Sequence, residues 1–250
     1  MENIYRIFGV IILVISISLG QSCKKEDASP VEDATIKDVE GNVYKTTIIG
    51  NQTWMAENLK TTKLNDGTAI QNVTDDTEWS ELTMSAYCWY NNDASSNKGT
   101  YGALYNWYSV NSGKLCPLGW HVPTNAEWTE LEEFLVTNGY NYDGSGFDNK
   151  FAKALADSSG WNPSYNVGAV GNTDFANKRN ATGFTALPGG VRDANQKIFG
   201  SIGNYGMWWT STETSATTAW DRGLANSTNS IGGLKVLKSH GFSVRCLKDK

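Results

Sequence analysis

The sequence predicts an α+β domain: an irregular antiparallel sheet with two helices and long loops. Three observations lead there. Ten Trp, eleven Tyr and 25 Gly in 250 residues describe a chain of aromatic anchors and tight turns, not a regular helical bundle. In the later half, turn residues recur roughly every ten to fifteen positions, through GFTALPGGVRD, GMWWTSTE, TAWDRGLA and GGLKVLKSHGFSVRCLKD, which is the spacing of short strands. Helical periodicity is secure in only two places, one after Thr124 and one around Phe151.

The chain opens with a segment outside that domain. In residues 1–22, Arg6 supplies a thin positive start and residues 7–19 form a mostly apolar run. That run is shorter than the ~20 residues a membrane-spanning helix requires. Small residues and Cys23 follow, the form of a secretory leader whose cysteine is cleaved and acylated. Gly20 stands where the usual lipoprotein signal has Leu, so the match is a relaxed one. Residues 23–36, beginning CKKEDASPVEDAT, are short, polar and acidic and read as a flexible tether. The triplet Lys25-Glu26-Asp27 just after the cysteine resembles the surface-export signal of Bacteroidota lipoproteins, which implies anchoring on the outer face of the outer membrane.

Residues 37–250 then read as one domain, with no Pro- or Ser-rich linker and no internal repeat. EGNVYKTTIIGNQTWMAENL alternates around Gly41-Asn42 and Gly50-Asn51 and predicts a β-hairpin. AYCWYNNDASSNKGTYGALYNWYSV is an aromatic segment, a polar loop over residues 91–100, and a second aromatic segment. The first helix starts at Thr124-Asn125-Ala126-Glu127, a capping box in which side chain and backbone of Thr124 and Glu127 satisfy each other. Trp128, Leu131, Phe134 and Leu135 make its apolar stripe, leaving Glu130, Glu132 and Glu133 on other faces. The second helix lies in DNKFAKALAD, closed by Ser158-Ser159-Gly160.

The net charge of −5, with no Lys/Arg-rich run, excludes a phosphate-backbone footprint and argues against nucleic acid as a partner. His121 precedes the helix cap and reads as a structural histidine. With His240 the only other one, a three-histidine metal site cannot be built. Residues 143–149, DGSGFDN, have the oxygen-rich composition of a Ca²⁺ loop, but Asp, Gly and Asn are equally plain turn residues, so no metal or cofactor is assigned. The common hydrolase and nucleotide-binding motifs are missing. The chemistry that does stand out is aromatic rings beside amides and carboxylates, a combination suited to stacking sugar rings while orienting hydroxyls. Trp89, Tyr90, Asn92 and Asp93 form one such group, and Trp208 with Trp209 another. The last two point to opposite faces of a strand, so at least one belongs to the core. The competing reading of all these rings is packing in a loop-rich fold.

The blocks IGNQTWMAENL, YCWYNND, YGALYNWYSV, CPLGWHVPTNAEW, GFTALPGGVR, WWTSTE and GFSVRCLKD, in that order, resemble the Fibrobacter succinogenes major paralogous domain family. The resemblance implies a C-type-lectin-like fold, which also houses formylglycine-generating enzymes. It also implies a disulfide between Cys116 and Cys246, tying the last strand to an element near the first helix, with Cys88 left reduced. A Cys88–Cys116 pairing stays open. Formylglycine-generating relatives use a cysteine pair and a related branch uses three histidines; neither set is present. The resulting expectation is a surface lipoprotein with a non-catalytic binding or adhesion domain, its ligand a glycan or a cell-surface protein. A scaffold in an envelope complex is the alternative, and an uncharacterised enzyme the lesser one.

Overall fold

The computed structural model describes residues 34–250; the leader, Cys23 and most of the tether lie outside the described residues. In chain order the first strands are β1 (Thr35–Lys37), β2 (Val43–Ile49), β3 (Gln52–Met55), β4 (Gln71–Asn72), β5 (Ala86–Cys88), β6 (Leu104–Tyr105) and β7 (Trp120–His121). The later ones are β8 (Gly189–Asp193), β9 (Ile198–Ile202), β10 (Tyr205–Glu213), β11 (Thr218–Ala225), β12 (Ile231–Gly232), β13 (Lys235–Leu237) and β14 (Leu247–Lys248). Among the described residues five α-helices interrupt them: α1 (Asp76–Glu81), α2 (Ala94–Tyr101), α3 (Trp107–Asn111), α4 (Asn125–Thr137) and α5 (Ala152–Leu155). The domain is therefore α+β, as expected.

The helix count is a correction. Residues 91–100, read as a polar loop, are mostly α2, because the Asp93 carboxylate accepts the Ser96 N–H at 3.1 Å and caps it. Only Asn97 of α2 is buried, so its sequence carries no apolar stripe to reveal it. The helix around Phe151 shrinks to the four residues of α5. Helix α4 forms as predicted: Thr124 and Glu127 complete both halves of the capping box, and Trp128, Leu131 and Leu135 are buried.

Three sheets result. The first runs β1-β2-β3-β14-β7, so the final strand is inserted between the N-terminal hairpin and β7. Strand β1 begins inside the stretch read as tether, because Thr35 and Ile36 pair with Lys45 and Tyr44. In the β2–β3 hairpin Ile49 faces Gln52, leaving Gly50-Asn51 as the loop. Gly50 has φ +61°, and a Cβ there would lie 2.9 Å from the Phe134 ring, so glycine lets the turn lie against α4. The second sheet runs β12-β11-β10-β8-β9 with β13 beside β11; the third is β4-β5-β6. Antiparallel pairs dominate, but β4–β5 and β8–β10 are parallel, making these sheets mixed.

Strand β10 has core on both faces. Trp208 joins Trp54, Trp128 and Phe184 in one apolar cluster, and Trp209 joins Trp107, Tyr105 and Phe242 in another. Cys116 and Cys246 are bonded, with Cα atoms 6.0 Å apart across 130 residues of chain, and Cys88 is free and buried. That bridge fastens β14 beside β7. Replacing both cysteines by Ala should lower the unfolding free energy by up to about 4–5 kcal/mol through the freed denatured chain. Urea titration measures this; an unchanged midpoint would show that the bridge adds nothing.

Candidate functional site

The aromatic residues singled out above turn inward. Trp208 and Trp209 are both 0% exposed, because the two faces of β10 are each covered by a core cluster. Neither ring can meet a ligand. Trp89 and Tyr90 are buried too, packed edge-on against Tyr87 and Phe199 respectively. Asn92 donates to the Thr74 carbonyl, and Asp93 caps α2. Hydrogen bonds from Ser95 and Ser96 hold the Asp93 carboxyl down at about 2. These six residues shape the fold around α2 and β10 and do not assemble into a binding platform. Cys23 lies outside the described residues.

Other candidates are likewise engaged in structure. His121 offers Nδ1 to Asp249 at 2.6 Å and Nε2 to Glu127 at 3.0 Å, so both ring nitrogens clamp the C-terminal tail to the start of α4. A general base needs one nitrogen open to substrate. Burial pushes the Cys88 thiol up to about 12, against the opposing pull of Arg192, which keeps it from acting as a thiolate. In the DGSGFDN loop, Lys150 pairs with Asp143 at 2.9 Å and Asp148 at 3.4 Å. The Asn141 amide donates to the carbonyls of Ser145, Phe147 and Asp148. The oxygens that would face a cation are already taken by an ammonium and an amide.

A cleft of about 560 Å³ has Arg245 in its lining. This guanidinium is buried and binds Asn58 Oδ1 at 2.9 Å, the Thr185 carbonyl at 2.8 Å and the Phe184 carbonyl. Burial without an adjacent carboxylate pulls its pKa down to about 9, although Glu57 and Asp157 oppose that from a distance. Its donors brace a strained stretch, since Thr185 has φ +54°. Arg245 is spent on the fold.

A different cleft carries an unspent group. It has two lobes, of about 320 Å³ and about 190 Å³, that share Tyr205, Met207, Asp221 and Leu234. Asp221 faces Trp209 across the β10–β11 ladder and is 1% exposed. Its backbone pairs with the Leu234 carbonyl at 3.0 Å, and its Oδ1 accepts the Leu234 N–H at 2.6 Å. Its Oδ2 is buried with no hydrogen-bond partner. Burial therefore pushes the carboxyl up to about 6, beyond what the Leu234 N–H and Arg222 can offset. Arg222, the next residue, points to the other face of β11, where it binds Glu132 at 2.8 Å and Asn125 at 2.7 Å.

The walls are apolar and partly open. Tyr205 is 44% and Leu234 64% exposed at the rim. Gly223 lies opposite Met207, and a Cβ there would come within 2.5 Å of the Met207 sulfur, so the glycine makes room for that side chain. In the smaller lobe His240 stacks on Phe242 at 5.7 Å. Its Nδ1 accepts the Ala194 N–H at 3.1 Å, which assigns the ring proton to Nε2. Burial lowers its pKa, outweighing Asp193, whose carboxylate is 3.8 Å away. Among the described residues, no group of three or more His, Cys, Asp or Glu is placed to hold a metal ion.

None of Asp221, Tyr205, His240 and Leu234 stood out in the sequence. One signal was there: in TAWDRGLA, Asp221 shares a strand face with Ala219 and Gly223, an acid on a face otherwise made of small residues.

Fold and cleft define the class: an α+β domain of mixed sheets, closed by one disulfide, with an acidic, apolar-walled cleft on its second sheet. The chain belongs to the Fibrobacter succinogenes major domain family, whose model matches residues 48–248. No curated protein and no solved structure matches it.

Asp221 holds its proton more tightly in the folded state, about 6 against 3.8, so its effect on stability runs opposite to that of a paired acid. The folded state is favoured below pH 4, and that advantage is lost as pH rises through 6. Asp221→Asn keeps an acceptor for the Leu234 N–H and removes the charge. At pH 7 it should stabilise the protein by on the order of 2–3 kcal/mol. The gap between variant and wild type should open between pH 4 and 6 in denaturant titrations; a gap independent of pH would contradict this account.

Proposed function

We propose that this protein is a surface-anchored lipoprotein whose C-type-lectin-like domain is a non-catalytic binding or adhesion module, with its ligand seated in the Asp221 cleft. The observation that carries the reading is the orphaned Oδ2 of Asp221. A buried acceptor without a donor costs about 1–3 kcal/mol, and a ligand that donates to it recovers that loss. The larger lobe, about 320 Å³, is within the ~300–1,000 Å³ range of small-molecule pockets, and its apolar walls with few convergent polar groups follow their usual pattern.

A glycan fits these walls. The apolar face of a sugar ring can lie on Tyr205 and Leu234 while a hydroxyl donates to Asp221. Tyr205 thus takes the role that the sequence assigned to Trp89 and Trp208. Binding is favoured over catalysis because the reactive side chains are committed elsewhere: His121 through both nitrogens, His240 through Nδ1, and Cys88 as a buried neutral thiol. The leader and Cys23 support the anchor, and the acidic triplet-bearing tether supports display at the surface.

The test is a glycan array probed with the mature chain carrying Cys23→Ser. Binding should occur, and Tyr205→Ala should weaken it about tenfold, equivalent to ~1.4 kcal/mol. A silent array from folded protein, or binding indifferent to Tyr205→Ala, would overturn the assignment.

A further inference from the structure

Resting on that binding reading, we propose that the ligand is an amino sugar with a free ammonium group: its ring lies on Tyr205 and its ammonium pairs with Asp221 in the cleft. The charges around the cleft point this way. Two carboxylates face it, Asp221 and Asp193, and His240 is held neutral by the Ala194 N–H. The cations on the surrounding elements are all directed elsewhere. On β11, Arg222 binds Glu132; on β13, Lys235 lies over the Trp220 ring at 5.4 Å; just beyond it, Lys238 pairs with Glu213. On β8, Arg192 binds Asp76 at 2.7 Å, and Lys197, before β9, reaches Thr77. Among the described residues Asp221 has no ion-pair partner, and its free oxygen lacks even a neutral donor.

A hydroxyl would satisfy the hydrogen bond of Oδ2 but leave the buried charge in place. An ammonium supplies both donor and countercharge. Binding is then strongest when Asp221 is ionised and the amine protonated. The carboxyl, raised to about 6 in the free protein, releases its proton as the amine binds. Affinity rises with pH through 6 and falls again where the amine itself deprotonates. Asp193, His240 and the phenol of Tyr205 are the other titratable groups of the cleft. Burial lowers the pKa of His240, which moves any step it adds further to the acid side. A neutral sugar has no descending limb at all.

Calorimetry on the mature Cys23→Ser chain decides the matter with three probes: a glucosamine tetramer, its fully N-acetylated counterpart and a trilysine peptide. The glucosamine tetramer should bind at least tenfold tighter than the acetylated one, with a bell-shaped pH profile. Asp221→Asn, which keeps the Leu234 contact and the fold, should erase that preference and flatten the acid limb. Thermal melts verify folding, and Tyr205→Ala at the exposed rim provides a second variant that should weaken the sugar. Equal affinity for both tetramers, indifferent to Asp221→Asn, would overturn the ammonium while leaving the binding reading intact. Trilysine binding as tightly as the sugar would overturn the amino sugar in favour of a basic polypeptide. Silence from all three, with folded protein, would overturn this inference; if the array is silent as well, the binding reading falls with it.

Discussion

Everything in this domain leans on a strand that is dry on both sides. In β10, Trp208 and Trp209 project into separate cores, and each indole N–H must find an acceptor away from water. Trp209 donates to the Tyr105 carbonyl at 2.7 Å and Trp208 to Asn58 Oδ1 at 2.9 Å. Asn58 takes a second donor from Arg245 on the same oxygen, while its amide donates to Ser243 Oγ and the Tyr101 carbonyl. One buried amide therefore coordinates β10, the C-terminal segment and the end of α2. Its loss would strand an indole and a guanidinium together, which is costlier than the loss of any single hydrogen bond.

The C-terminal segment carries this organisation outward. Residues 242–246 run between the sheets: Phe242 exchanges backbone hydrogen bonds with Tyr105, Val244 accepts from Leu59, and Cys246 accepts from Met55. The disulfide to Cys116 and the pairing of β14 with β3 and β7 complete the closure. His121, bridged between Glu127 and Asp249, adds a polar clasp at the same end. The partners named here lie more than a hundred residues away in the chain, so this closure is built from long-range contacts.

The cleft follows from the same two-faced strand. Asp221 sits beside Trp209 on the ladder, at the rim of the core to which Trp209 belongs, so its carboxyl is buried on the way to solvent. The turn leading into β13 uses one carboxylate oxygen and leaves the other without a donor. Asp221 thus lowers stability at neutral pH while lining an apolar-walled cleft, and the proposed binding site rests on that combination.

Local signals were legible. The capping box at Thr124, the β2–β3 hairpin and the α4 stripe depend on contacts within a few residues, and the chain spells them out. Family resemblance pointed to the Cys116–Cys246 bridge, whereas spacing alone left Cys88 open as a partner. Helix α2 was hidden because a helix held by a cap and lying on the surface needs no apolar period. The division of aromatics into core and rim was equally hidden. Trp208, Trp209 and Trp89 read like Tyr205 until distant segments cover some rings and leave one open. The sequence by itself determined the class of fold, its helix start, its hairpin and its family. Only the tertiary structure decided which carboxylate lost its solvent and gained no partner, because burial and hydrogen-bond satisfaction are sums over segments far apart in the chain.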